Sequence, residues 1–327
     1  VAAKLDTAPL PSLLEGSLYI DFSTYPDGPT GAELVRLTHG VQGLGLDPVA
    51  VDRIALFEAS VREEPSTLRA MVASGEFEAI QSRALSDEPA YTTSATLPAL
   101  AAQLLISGKR DNEALSVLDR AQKRFKRSIR LRQMRGLALR RLGRTREALL
   151  ELEKLRADGH NDPETLGILA AAWTASWRAS GDADELERSR DLYAVAFERT
   201  PSDTYSGINA AAKSAMLGEH ERAKVLAAQV LTLIQQQNLA RGGQPSSDYW
   251  ERVTEPEALL LRGDFPKSLS LYHSARVAHH TERGSIESTA AQLSLLLPLP
   301  FVPDEWKKRF REEFSAHWPA MPELQAR

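Results

Sequence analysis

Apolar residues recur at helical spacing along most of this chain, and three stretches repeat one phase. Leu142 and Gly143 precede Ala148, Leu217 and Gly218 precede Ala223, and Gly263 precedes Ser268. In each, a small residue follows the Gly five positions later. Each then continues as an apolar stripe: Leu149, Leu152 and Leu155; Leu226, Ala227 and Val230; Leu269, Tyr272 and Ala275. The Gly lets the chain turn after a first helix, and the small residue lets a second helix pack closely against it. The pattern predicts helical hairpins in series.

From residue 96 onward the periodicity predicts five pairs, over 96–126, 129–156, 162–200, 203–237 and 248–281. The third carries about ten extra residues between its first Gly and its second helix. An amphipathic helix follows over 303–318, with Trp306, Phe310 and Phe314 placed to cap the open end of a stack. The beginning reads differently. Leu18–Phe22 is a short β-branched and aromatic run, expected to be one strand, followed by a turn at Tyr25–Pro29 and a helix from Thr30 to Gly40. A lone strand needs a ladder, so it docks on another edge or ends a domain that begins earlier. Two helices are expected over 47–84, the first started by Asp47-Pro48 and the second capped by Ser66. Residues 86–95 read as a polar linker.

With 327 residues and 43% apolar content the chain can bury a continuous core. Its net charge of −4 argues neither for nor against nucleic acid. Cysteine is absent, which excludes disulfides, thiolate catalysis and zinc–thiolate sites. No apolar run approaches the ~18 residues that span a bilayer. Val1 is not an initiator Met, and the chain reads as a piece of a longer or processed protein.

Candidate chemistry is sparse. None of the seven His residues has a close ligand spacing, and His273 and His280 share a helix face without a metal motif. No cofactor is expected. Gly40 to Gly45 is a loop out of dinucleotide-binding order, and no phosphate-binding Gly-Lys motif occurs. Gly207-Ile208-Asn209 has two readings: Asn209 as an amide donor in a groove, or helix packing through Gly207 and Ala210 with Asn209 bonded to backbone. One charge feature stands out. Residues 120–146 hold twelve Arg or Lys and no Asp or Glu. It reads as a groove for an acidic peptide, a terminal carboxylate or an anionic polymer, or as a solvated face paired to acids nearby. Phe125 is the one aromatic there, so the stacking platform of a single-strand binder is missing.

The Gly-x-x-x-x-small spacing resembles the tetratricopeptide repeat. That resemblance implies an all-α superhelix of helical hairpins, with a short α/β remnant before it. On its template the first helix of the second pair offers Arg130, Gln133, Leu137, Arg140 and Arg141 to the concave groove. Further strings are Glu164-Thr-Leu-Gly-Ile-Leu169, Tyr205-Ser-Gly-Ile-Asn-Ala-Ala211, Tyr249-Trp250 and Gly284 to Gln292. Together they resemble the TRAFs-binding domain, the tetratricopeptide-like region of apoptosis signal-regulating kinases and bacterial relatives, over 96–297. Residues 8–46, with Leu10-Pro-Ser-Leu-Leu14 and Leu18–Phe22, resemble the end of a bacterial TIR domain. The expected organisation is 1–46, connecting helices over 47–95, the repeat domain over 96–297, and a capping helix with tail over 298–327. The expected function is a non-enzymatic, cytoplasmic interaction scaffold in signalling, binding a protein or acidic peptide through Arg130, Gln133, Leu137, Arg140, Arg141 and Asn209, with self-association. The alternatives are the regulatory half of a TIR-type NAD-consuming effector, and nucleic-acid binding through 120–146.

Overall fold

The computed structural model describes residues 2–4, 19–21 and 48–319. The helix expected over 30–40, the Gly40–Gly45 loop and most of the TIR-like segment lie outside the described residues. Strand β2 (Tyr19–Asp21) has a partner that the periodicity did not supply: β1 (Ala2–Lys4) pairs with it in parallel, Ala3 opposite Ile20. The rest is helical. The chain forms two compact units, Val1–Met134 and Arg135–Arg327, dividing inside one helix.

The first unit contains α1 (Pro48–Ala73), α2 (Phe77–Ala84), α3 (Pro89–Thr92), α4 (Thr96–Ser107) and α5 (Asp111–Arg124), and the start of α6 (Ile129–Arg141). Two expectations fail here. Ser66 does not cap a second helix, because α1 runs through both Pro65 and Ser66. A mid-helix Pro costs about 3 kcal/mol. Tertiary burial on both sides offsets it, since Glu64 and Leu68 are both in the core. The polar linker at 86–95 contains α3, whose Tyr91 is buried and donates its hydroxyl to Glu64. Arg83 donates to the same carboxylate through Nε and Nη2, at 2.6 and 2.7 Å.

The second unit continues with α7 (Thr145–Ala157), α8 (Pro163–Ser180), α9 (Ala183–Arg199), α10 (Thr204–Met216), α11 (His220–Ala240), α12 (Tyr249–Arg262), α13 (Phe265–Ala278), α14 (Arg283–Leu296) and α15 (Asp304–Glu313). These are the expected helical hairpins, and the fold is an all-α tetratricopeptide-like array. The tight turns are local chemistry. Gly143, Gly181, Gly218 and Gly263 all adopt positive φ between first and second helices, a conformation L side chains disfavour. Asp162, Asp203 and Asp248 cap the first helices α8, α10 and α12 by accepting from backbone N–H groups. The extra residues of the third pair are extra helix: α8 has 18 residues and α9 has 17, against 13 each in α6 and α7.

Close packing explains the small residues. A Cβ on Gly136 would fall 2.6 Å from Leu152 Cγ, and one on Gly207 would fall 2.7 Å from Val230 Cγ2 and 2.9 Å from Phe197 Cε2. At the far end, Phe310 and Phe314 are buried edge-on to Tyr272, and Trp306 stacks on Phe265.

Candidate recognition face

The first helices of successive pairs carry charged or polar side chains beyond their midpoints, among them Arg140 on α6, Arg178 on α8, Lys213 on α10, Glu257 on α12 and Gln292 on α14. In this unit α10 packs on α12 and α14 directly, as well as on its hairpin partner α11. That packing sets the helices of Lys213, Glu257 and Gln292 side by side, and Gln292 donates to Glu257.

Lys213 is the centre. It lies in a run of buried small residues, Ala210 to Ala215, and is itself 3% exposed. Its ammonium donates to Asn209 Oδ1 at 2.6 Å and stands 5.2 Å from the centre of the Tyr193 ring. Asn209 in turn donates to the Tyr205 carbonyl at 3.0 Å. Tyr205, Asn209 and Lys213 follow at i, i+4 and i+8, one side of α10. Burial lowers the Lys213 pKa to about 8; Glu257 opposes that shift and Arg178 adds to it. Burial also raises Glu257, whose carboxylate accepts from Gln292 Nε2 at 3.0 Å.

Two guanidiniums extend the cationic side. Arg178 retains exposed surface, yet desolvation is the first cause of its lowered pKa and the charge of Arg140 the second. Buried Tyr193 feels both arginines, and its hydroxyl lies 3.5 Å from that of Tyr205. Neither Arg140 nor Arg178 makes an ion pair among the described residues, and Arg140 Nε is buried without a hydrogen-bond partner. Tyr205 and Trp250, on the first turns of α10 and α12, leave 52% and 47% of their surface open.

The structure scatters the sequence-derived site residues. Arg140 and Asn209 join this face through Arg178 and Lys213. Leu137 is half-buried and Arg141 exposed on the same helix as Arg140. Gln133 is buried at 4% exposure. Arg130 donates to Gln103 at 3.3 Å within the first unit. The basic run is largely spoken for. Arg120 pairs with Asp87 at 2.7 Å, Arg135 with Glu151 at 3.4 Å and Arg144 with Glu147 at 2.7 Å, and Arg124 donates to the Thr92 carbonyl.

Arg178, Lys213 and Glu257 were missed because charge was read by density along the chain. The available signal was isolation. A Lys inside Ala-Ala-Ala-Lys-Ser-Ala must enter the core with the helix that carries it, and Arg140 and Arg178 each lie three residues before a turn Gly.

Elsewhere the chemistry is closed. His273 faces Glu313 at 3.0 Å and His280 faces the Val277 carbonyl, so the two do not converge. No group of three or more metal-ligating side chains occurs among the described residues, and none of their helices is long and apolar enough to cross a membrane. A recess of about 500 Å³ between α7, α8 and α9 is floored by Leu192 and Trp173. Its charges are engaged, with Trp173 Nε1 donating to Glu153 at 2.9 Å and Arg188 stacked on the indole at 4.8 Å.

Comparison with curated proteins gives no match. Among solved structures, the chain is similar to a thermophilic TPR protein of Thermus thermophilus, with 20% identity over 62% of this chain and all of that one, TM-score 0.49. It is similar to a tetratricopeptide repeat protein from Parabacteroides merdae, with 13% identity over 78% and 99%, TM-score 0.45. A third is the TPR2AB domain of yeast Sti1 in complex with pHSP90, with 13% identity over 73% and 98%, TM-score 0.31. The family described as Tetratricopeptide Repeats-Sensor matches residues 110–217. That tetratricopeptide-like segment contains Arg140, Arg178, Tyr193, Asn209 and Lys213.

Proposed function

We propose that this chain is a recognition module that binds a partner protein through an acidic segment laid on the first-helix face of its second unit. One observation carries the reading: Arg140, Arg178 and Lys213 gather on that face with no carboxylate in contact among the described residues, beside the exposed rings of Tyr205 and Trp250. Cations held this way favour carboxylates, and exposed aromatics supply apolar contact beside them. The face has no nucleophile–base pair or metal cluster among the described residues, which supports a binding role over chemistry. Of the sequence-derived residues, the reading keeps Arg140 and Asn209, with Leu137 and Arg141 on the same helix as Arg140.

The reading includes a sensing or scaffolding role in a cytoplasmic signalling protein, in line with the sensor description of the matched family and the TRAFs-binding resemblance over 96–297. Self-association would add avidity.

The test is selection of displayed random peptides on the full chain. Enrichment of sequences bearing Asp or Glu, with binding lost in Arg178→Glu, is the expected result. Enriched peptides that bind Arg178→Glu and wild type equally would sink it. Affinity that falls steeply with salt for any nucleic acid sequence would favour the basic-run alternative instead.

A further inference from the structure

The recess of about 500 Å³ lies between α7 and α9, the second helices of neighbouring hairpins, with α8 contributing its floor. Arg188, Asp191, Leu192, Val195 and Arg199 line it from α9. Those spacings belong to one helix face and span about 16 Å, or three turns. Leu192 is buried, Val195 keeps 37% of its surface open, and α8 adds the half-buried indole of Trp173. None of Arg140, Arg178 and Lys213 lines this recess. Its two carboxylates are matched, and two of its cations are not. Glu153 accepts from Trp173 Nε1 at 2.9 Å and faces Arg156 at 3.8 Å, and Asp191 accepts from Arg190 at 2.8 Å. Arg188 and Arg199 are held by neutral groups instead: Arg188 stands 4.8 Å over the Trp173 ring, and Arg199 donates to the Asn161 carbonyl. Neither has a carboxylate partner among the described residues. They mark the two ends of the α9 stripe, with Leu192 and Val195 between them.

We propose that this groove docks an amphipathic helix of a partner protein. Apolar side chains on its successive turns fill the recess, and acidic residues at either end meet Arg188 and Arg199. The site is independent of the acidic segment read onto the first helices. Helical walls select a helical occupant. Their backbone groups are already bonded internally, so an extended chain finds no ladder there and leaves its own N–H and C=O groups unpaired. A helix arrives with its backbone satisfied and presents only side chains, at the same spacing as the α9 stripe.

Charge decides which helix fits. Guanidinium–carboxylate hydrogen bonds are among the strong ones, and two cations bracketing an apolar strip reject a basic helix. Val195 is the central contact, because it is the open apolar side chain between them and becomes covered on docking. Arg188 and Arg199 set the ends of the contact and so its register.

The experiment is selection on the full chain from a displayed library of helix-forming peptides about five turns long, randomised on one face. Enriched peptides are then titrated by fluorescence anisotropy. The expected winners carry apolar residues on adjacent turns with Asp or Glu beyond them. Their affinity should fall about ten-fold or more in Val195→Asp and in Arg199→Glu. It should persist in Leu150→Asp, a control on α7 that is 69% exposed and outside the recess. Exchanging the peptide's acid for Lys should restore binding to Arg199→Glu, and a central Pro, which breaks the peptide helix, should abolish it. The proposal is overturned if no peptide enriches, if Leu150→Asp loses as much as Val195→Asp, or if the Pro peptide binds as well as its parent. Peptides that lose affinity in Arg178→Glu but not in Val195→Asp also overturn it, and leave the first-helix reading standing. Val195 and Arg199 both keep exposed surface, and thermal melts confirm that the variants fold. If Val195→Asp unfolds, the charge exchange at Arg199 decides alone.

Discussion

Each unit of this protein buries a charge cluster, and the two are finished differently. In the first unit Glu64 receives a bidentate Arg83 and the Tyr91 hydroxyl, so every charge has its opposite. In the second, Lys213, Arg178 and Arg140 outnumber Glu257, and donors stay unused. A closed network holds helices together: Glu64 ties α1 to α2 and α3. An open one adds repulsion to the fold. The two clusters differ in how far their hydrogen bonds are saturated, not in burial alone.

The comparison breaks most sharply at Glu64. Glu64→Ala strands Arg83 and the buried Tyr91 hydroxyl, and should cost about 3 kcal/mol, the lower end for a broken buried pair because Arg83 keeps 36% of its side-chain surface open. Urea denaturation would show it; an unchanged midpoint would mean that the cluster is not structural. The same pair predicts acid sensitivity. The Arg83 bonds lower the Glu64 pKa below its usual 4.5. Its contribution is therefore present above about pH 4.5 and lost as pH falls through the folded value. Glu64→Gln should flatten that part of the stability–pH profile.

Next in size is Gly207→Ala, whose methyl would meet Val230 and Phe197 and cost about 1–3 kcal/mol by overpacking. It separates the packing role of Gly207 from the polar role of Asn209, because it should leave acidic-peptide affinity unchanged if the helices only part slightly. Asp162→Ala removes the cap of α8 and should cost about 1 kcal/mol. The smallest effect has the opposite sign. Arg178→Gln relieves repulsion with Arg140 and should leave stability equal or higher by less than about 1 kcal/mol after solvent screening, while binding is lost. A clear destabilisation in thermal melts would instead place Arg178 with Glu64, as a structural charge.

Much of the hairpin array was legible because its signals are local. A Gly at positive φ between two apolar stripes, an Asp before a helix and a small residue five positions on act within a few residues of themselves. Where the reading failed, distant contacts decided. Ser66 looked like a cap, but burial of Glu64 and Leu68 carried α1 past Pro65. Residues 86–95 looked like linker, but Tyr91 reached a carboxylate 27 positions away. The basic run 120–146 allowed either a groove or a solvated face paired to acids nearby. The fold divided it: Arg120, Arg135 and Arg144 went to acids, and Arg140 to a face whose other cations lie one or two hairpins further on.

By itself the sequence determined the repeating unit: where helices start, where they turn and which stripe of each is apolar, since those depend on backbone sterics and periodic burial. Burial of Lys213 was decided by the helices packed against α10. Only the tertiary structure decided which charges would meet. Arg140, Arg178, Lys213 and Glu257 are separated by 35 to 44 positions, and no local preference links them. Stacking the hairpins decided which of them interact, and left more cations than the one carboxylate among these four.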